Sequence, residues 1–172
     1  MMDAGIDLDI IFLDFSKAFD SVPHQRLLSK LESYGVCGPV LEWTRSFLSS
    51  RRQQVVVEGV VSSWVQVLSG VPQGSVLGPL LFVCYINDMP DMITSFIYMY
   101  ADDAKILNSV SGDVDQASLQ SDLDTLTEWS KEWQLTFNVN KCKVMHIGRN
   151  NRNIQYSMQD HKVGRPIYFK KP

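Results

Sequence analysis

The sequence is short of the residues that would place it among cross-linked, metal-clustered or membrane-spanning proteins. Its three cysteines, Cys37, Cys84 and Cys142, are odd in number and far apart. That excludes a disulfide framework or a zinc site of regular spacing and predicts small buried hydrophobes in a reducing compartment. The three histidines, His24, His146 and His161, have no ligand spacing either and are read as non-functional. No apolar run is long: Val76 to Ile86 is the longest, too short to cross a bilayer. Asp3, Asp7 and Asp9 interrupt the N-terminus where a signal peptide would be basic and then apolar. No repeat or low-complexity tract stands out. The expectation is an intracellular protein of the nucleus or cytoplasm, neither secreted nor bound to a membrane.

What is present is an ordinary globular balance. Apolar residues make up 45% and charged residues 20% of 172 residues, enough chain for one domain with a real core. The net charge of −3 is unevenly spread. From Gln134 onward there are eight basic residues (Lys141, Lys143, Arg149, Arg152, Lys162, Arg165, Lys170 and Lys171) and one acid, Asp160. That segment carries +7 against −10 for the rest. Such a segment suits contact with phosphates, and equally a solvated, frayed tail.

The pattern alternates strands and helices. Ile10–Leu13 is a short apolar run ending at Asp14, read as a strand buried on both faces. Pro23 opens a helix with Leu27, Leu28 and Leu31 as its stripe and Gly35 as its stop. Pro39 opens a second, with Val40, Leu41, Thr44, Phe47 and Leu48 on one face. Residues 53–57 and 60–67 form a hairpin turning at Glu58-Gly59. Residues 69–74 are a loop before a buried helix over 76–87. Residues 95–100 and 104–107 form a second hairpin around an acidic tip. Asp113 caps a long helix that turns Leu119, Leu123, Leu126, Trp129 and Trp133 inward, leaving Asp122, Asp124, Glu128 and Glu132 solvated. Leu135–Phe137 and Val144–Ile147 read as further strands, and the pattern fades after Gly148. The fold class expected is α+β, an antiparallel sheet with helices over one face.

Three acids hold unusual positions. Asp14 ends the first strand, and Asp102 and Asp103 sit at the tip of an apolar hairpin. If those elements pair, the carboxylates meet at one sheet edge, where like charges repel unless a cation intervenes. Mg²⁺ prefers oxygen ligands and uses few carboxylates with substrate phosphates. Two such ions ~4 Å apart activate an attacking hydroxyl and stabilise a leaving group. The acids alone fit other two-metal enzymes, nucleotide cyclases among them, and Asp-Asp is also a common turn pair. The loop Ser69-Gly70-Val71-Pro72-Gln73-Gly74-Ser75 adds glycines that let backbone approach a ligand. It also supplies an amide, Gln73, that donates and accepts, and a helix start suited to anions.

Taken together these segments resemble the reverse transcriptase of non-LTR, LINE-like retrotransposons of the jockey-like branch. Phe12-Leu13-Asp14-Phe15-Ser16-Lys17-Ala18-Phe19-Asp20 is similar to motif A and Ser69–Phe82 to motif B. Tyr100-Ala101-Asp102-Asp103 is similar to motif C, and Leu135–Gly148 to motif D and the start of the next element. The likeness covers roughly residues 6–156.

The resemblance implies a polymerase palm with a ferredoxin-like sheet over 1–148. Residues 149–172 would be a basic segment, either the start of a thumb or a tail outside the family. It implies an RNA-directed DNA polymerase using an RNA template, a DNA primer and deoxynucleoside triphosphates, with no obligate protein partner. Asp14, Asp102, Asp103 and the Phe15 carbonyl would hold two Mg²⁺, for which Mn²⁺ could substitute. Phe19 would exclude a ribose 2′-hydroxyl, Gln73 and Gly74 would touch the incoming nucleotide and template, and Lys141 would protonate pyrophosphate.

Ala104 departs from the threonine usual in relatives. The family's fingers and endonuclease segments have no counterpart, only the first residues of a thumb would fit here, and residues 164–172 match nothing in the family. A truncated genomic copy, weakly active or inactive and at most a weak nucleic-acid binder, is the alternative expectation.

Overall fold

The computed structural model describes residues 7–110, 112–164 and 167–168. Chain contacts divide it into two compact units, residues 17–87 and the remainder.

The larger unit is built on a five-stranded sheet. β1 (Leu8–Leu13) lies between β7 (Asp103–Ser109) and β8 (Lys143–Ile147), antiparallel to both. β6 (Phe96–Tyr100) pairs with β7, and β11 (Ile167–Tyr168) adds in parallel beside β8, giving the order β11-β8-β1-β7-β6. β1 is not buried on both faces, as its apolar run suggested. Asp9, Ile11 and Leu13 are buried while Leu8, Ile10 and Phe12 are half-buried. Antiparallel sheets commonly cover one face only, so side chains of period two divide between core and surface.

The long helix α5 (Asp113–Trp133) packs against β7. Leu119, Leu123, Leu126 and Trp129 are buried along one side, the stripe that 3.6-residue periodicity dictates. Each fully buried leucine contributes roughly 2 kcal/mol. Gly112, not Asp113, occupies the capping position. Asp122 is not solvated: its carboxylate accepts the N–H groups of Thr94 and Ser95 at 3.0 and 2.8 Å, fastening the chain just before β6. Leu135–Phe137 does not form a ladder strand, and only Phe137 pairs, with Phe15.

The pattern that fades after Gly148 conceals ordered structure. β9 (Ser157–Met158) and β10 (His161–Lys162) form a hairpin, and Tyr156, Met158 and Val163 are buried. Residues 149–164 are therefore no frayed tail. Arg165, Lys170 and Lys171, like Asp3, lie outside the described residues.

The smaller unit holds α1 (Ala18–Ser21), α2 (His24–Ser33), α3 (Gly38–Leu48) and α4 (Leu77–Ile86). Pro23 caps α2 instead of opening it, and Leu27, Leu28 and Leu31 are buried as expected. So is Lys30, whose ammonium donates to the Tyr85 carbonyl at 2.6 Å and lies 5.0 Å from that ring. On α3, Leu41, Thr44 and Leu48 are buried, but Val40 is exposed and Phe47 is half-buried, stacked on Trp43. Cys37 is exposed, contrary to the expected burial; Cys84 is half-buried and Cys142 buried.

The expected hairpin turns at Glu58-Gly59, both left-handed at φ 49° and 84°, the twist that suits two-residue hairpins. It is split into β3 (Val56–Val57) with β4 (Val60–Val61), and β2 (Arg52–Gln53) with β5 (Val65–Gln66). Among the described residues no helix is long and apolar enough to cross a membrane.

Candidate active site

In the larger unit, strand register decides where the acids fall. Leu13 pairs with Ala104, so Asp14 follows, and Asp103 precedes, the last paired couple of the two strands at the same end of the sheet. Tyr100 pairs with Asp103 across β6 and β7, which leaves Ala101 and Asp102 as the two-residue turn. Ala101 takes the left-handed conformation at φ 53°, unusual for a residue with a side chain and required by so tight a reversal. Directly paired residues share a face. Asp14 and Asp103 therefore belong to the open face of the sheet, with Phe12, Lys105, Lys143, Tyr98 and Tyr100. Phe12 pairs with both Lys105 and Lys143, and Lys105 with Tyr98. A shallow depression of about 380 Å³ runs along Phe12, Tyr98, Tyr100, Asp103 and Lys105.

The backbone around Asp14 leaves β1 and pairs with the segment after α5. The Asp14 carbonyl accepts the Asn138 N–H at 2.7 Å, and the Ser16 N–H donates to the Thr136 carbonyl at 2.8 Å. These two bonds flank the Phe15–Phe137 bridge, whose rings stack 4.6 Å apart. In such a pairing the carbonyl of Phe15 itself projects from the opposite edge.

One carboxylate oxygen of Asp14, Oδ1, is buried and accepts no hydrogen bond, although the Lys141 ammonium stands 3.7 Å away as a loose ion pair. Cys142 lies beneath, its thiol pushed up in pKa by burial, so it stays protonated. Among the described residues no three His, Cys, Asp or Glu side chains are gathered closely enough to cage an ion. That arrangement is compatible with Mg²⁺, which takes one or two carboxylates and completes its shell with water and phosphate. The unsatisfied Asp14 oxygen is a donor of the type such an ion takes.

The smaller unit carries the other expected residues. The segment Ser69–Ser75 is fastened to α1 and the turn after it. The Gly70 and Val71 N–H groups donate to the Val22 and Phe19 carbonyls at 2.8 and 2.7 Å, and the Ser69 hydroxyl donates to Asp20 at 2.8 Å. Gly70 has φ +85° and passes so close to Asp20 that a Cβ would stand 2.7 Å from its backbone. Gly78, with no positive φ, lies against the Pro72 carbonyl where a Cβ has no room. Gly74 is left-handed at φ +81° but faces open space. Gln73 is exposed and donates to Asp20 Oδ1 at 3.2 Å. Phe19 is half-buried, its ring stacked on the buried Phe82 at 4.7 Å.

Sequence reasoning passed over a second cluster. Asp9 is fully buried and its carboxylate is completely engaged. Oδ1 meets His146 Nδ1 at 2.6 Å and the Asn151 amide at 2.7 Å, and Oδ2 accepts the Tyr156 hydroxyl at 2.7 Å. The available signal was Asp9 two residues before Ile11, on the face that period two assigns to the core.

These features define a protein of the reverse transcriptase class. The family described as reverse transcriptase (RNA-dependent DNA polymerase) matches residues 8–163, and the chain belongs to it. Relatives include the RNA-directed DNA polymerases from mobile element jockey. That of Drosophila melanogaster is 38% identical over 141 residues and that of Drosophila funebris 36% over 140. Each alignment covers 76% of this chain and 15% of the relative, so the chain spans about 15% of their length. These matches agree with the non-LTR retrotransposon resemblance read from the motifs. Among solved structures, apo telomerase from Candida tropicalis, truncated from the C-terminal domain, superposes with a TM-score of 0.61 at 14% identity, over 87% of this chain and 32% of that one. At that identity the likeness shows the fold.

Proposed function

We propose that this chain is the catalytic palm of a retrotransposon RNA-directed DNA polymerase, its sheet of ferredoxin-like type with helices over one face. In this reading residues 1–148 carry the palm motifs, and residues 149–172 are a basic segment that either begins a thumb or lies outside the family. The reaction is template-directed attack of a primer 3′-hydroxyl on a deoxynucleoside triphosphate, releasing pyrophosphate. The observation that supports this reading is the pairing of Leu13 with Ala104 and of Tyr100 with Asp103, which brings the end of β1, where Asp14 follows, to the hairpin that carries Asp102 and Asp103.

Asp14, Asp102, Asp103 and the Phe15 carbonyl would hold two Mg²⁺. When bound, those ions lower the pKa of the attacking hydroxyl and neutralise charge developing on the phosphates. The chain's own residues do the rest. The open face beside the acids, with Phe12, Tyr98 and Tyr100 interleaved by Lys105 and Lys143, suits a nucleic-acid strand through ring stacking and phosphate neutralisation. Phe19, fixed by its stacking on Phe82, excludes a ribose 2′-hydroxyl and so selects deoxynucleotides. Gln73 and Gly74 approach the incoming nucleotide and template, the amide through hydrogen bonds and the glycine through bare backbone. Lys141 supplies a proton to the departing pyrophosphate.

Primer extension on an RNA template with Mg²⁺ and deoxynucleotides, comparing the chain with Asp102→Asn, tests this. Extension by the parent is expected to be weak at most and to be lost in the variant. Extension that survives it overturns the assignment. Absence of extension from both, in protein shown to be folded, favours a remnant that has kept the fold and lost the activity.

A further inference from the structure

The turn from Asn138 to Cys142 grips Asp14 from several directions. Its own closure is local: the N–H groups of Lys141 and Cys142 both donate to the Asn138 carbonyl, at 2.9 and 3.1 Å. Several of its outward polar contacts meet at one residue. Asn138 donates its N–H to the Asp14 carbonyl at 2.7 Å. The Cys142 sulfur accepts the Asp14 N–H at 3.4 Å, and its thiol approaches the Asp14 carbonyl at 4.0 Å. Both backbone polar groups of Asp14 are thus held by the same turn. Cys142 is fully buried, so this backbone grip does not depend on solvent.

The side chain is held differently. Asp14 Oδ1 is buried without a hydrogen bond, and the Lys141 ammonium faces it at 3.7 Å. That distance lies beyond hydrogen bonding yet close enough for charge attraction. The lysine side chain is 67% exposed, and an exposed lysine on a flexible stem gives up an ion pair readily. The turn therefore fixes the backbone of Asp14 while leaving its carboxylate under a weak, displaceable cation.

We propose that Lys141 is a stand-in cation for Asp14, neutralising the carboxylate until a divalent ion displaces it. Displacement frees the ammonium, on the same turn, for other work at the site. The inference rests on the metal site proposed above, and Lys141 acts here as a positioning and competing group, apart from any proton it delivers.

The test is the affinity of the whole chain for Mn²⁺ alone, measured by calorimetry or by the electron paramagnetic resonance of the free ion. No nucleotide or primer is needed. Removing a competitor tightens binding, and exposed ion pairs set the scale at about two- to five-fold for Lys141→Met. Lys141→Arg, which keeps the charge, is expected to stay close to the parent. In an Asp14→Asn background, Mn²⁺ binding is expected to weaken and the Lys141→Met gain to vanish. Parent binding that is unchanged or weakened by Lys141→Met overturns the stand-in role and leaves the metal site intact. A parent chain that binds no Mn²⁺ at millimolar concentration overturns the metal site and this inference with it.

Discussion

Tyr156 donates its hydroxyl to Asp9 Oδ2 from a fully enclosed position. Burial first, then the hydrogen bond and charge of Asp9, push its pKa above the ordinary tyrosine range. The consequence for stability has a definite sign. The folded protein keeps the phenol proton at a pH where the unfolded chain, with its tyrosine near ~10, has begun to release it. The contribution of this group is therefore complete below about pH 10 and falls as pH rises from there. Tyr156→Phe is expected to lose about 2 kcal/mol at neutral pH, the scale of a hydrogen bond to a charged acceptor. It is also expected to flatten the decline of stability above about pH 10. Urea unfolding of both proteins from neutral to alkaline pH checks this. Two curves that stay parallel through the alkaline range would remove Tyr156 from the account.

Among the local elements, the loop that enters α4 shows how three glycines in one stretch have different reasons. Gly70 combines a left-handed backbone with contact against Asp20, Gly74 has the conformation without the contact, and Gly78 has the contact without the conformation. A side chain in the left-handed region costs roughly 1–2 kcal/mol, so Gly74→Ala is expected to destabilise by about that much. Gly70→Ala adds a backbone collision and is expected to cost upwards of ~3 kcal/mol. Denaturant melts of the two variants order them directly, and equal losses would mean the Ser69–Ser75 segment is not fastened to Asp20 as described.

These glycines also mark how far the sequence could be read. Their presence in a motif was visible, and so were the two acidic strand ends, because apolar runs stop sharply at Asp14 and at Asp102-Asp103. The Asp9 cluster and the anchoring role of Asp122 were not visible. A buried carboxylate is specified by partners 137 residues away, as for His146, or 27 residues away, as for the Ser95 N–H. No local period encodes such a partner. The strands after Gly148 were missed for a related reason: at two residues each, they are too short to show alternation. Leu135–Phe137 erred the other way, since three apolar residues satisfy a strand pattern whether or not a ladder forms.

At the scale of the whole molecule the ribbon from Val55 to Leu68 concentrates exposed apolar side chains in one short stretch. Val55, Val56, Val57, Val60, Val61, Trp64 and Val65 are each more than half exposed, and Leu68 is 77% exposed. Paired strands send alternate side chains to opposite faces, so both faces of the ribbon are apolar and open. A concentrated apolar patch of this kind drives association, and short valine-rich strands with open edges are templates for pairing between chains. Self-association of this protein is therefore expected to run through the ribbon. Replacing Val57 by Thr and Val60 by Lys, a directly paired couple, keeps strand propensity at one position and places a charge at the other. Because both side chains are exposed, the double variant is expected to unfold within about 1 kcal/mol of the parent. Its concentration-dependent association, followed by light scattering or sedimentation, is expected to fall clearly. A large loss of stability without a change in association would mean these valines are packed in solution and that the sticky surface lies elsewhere.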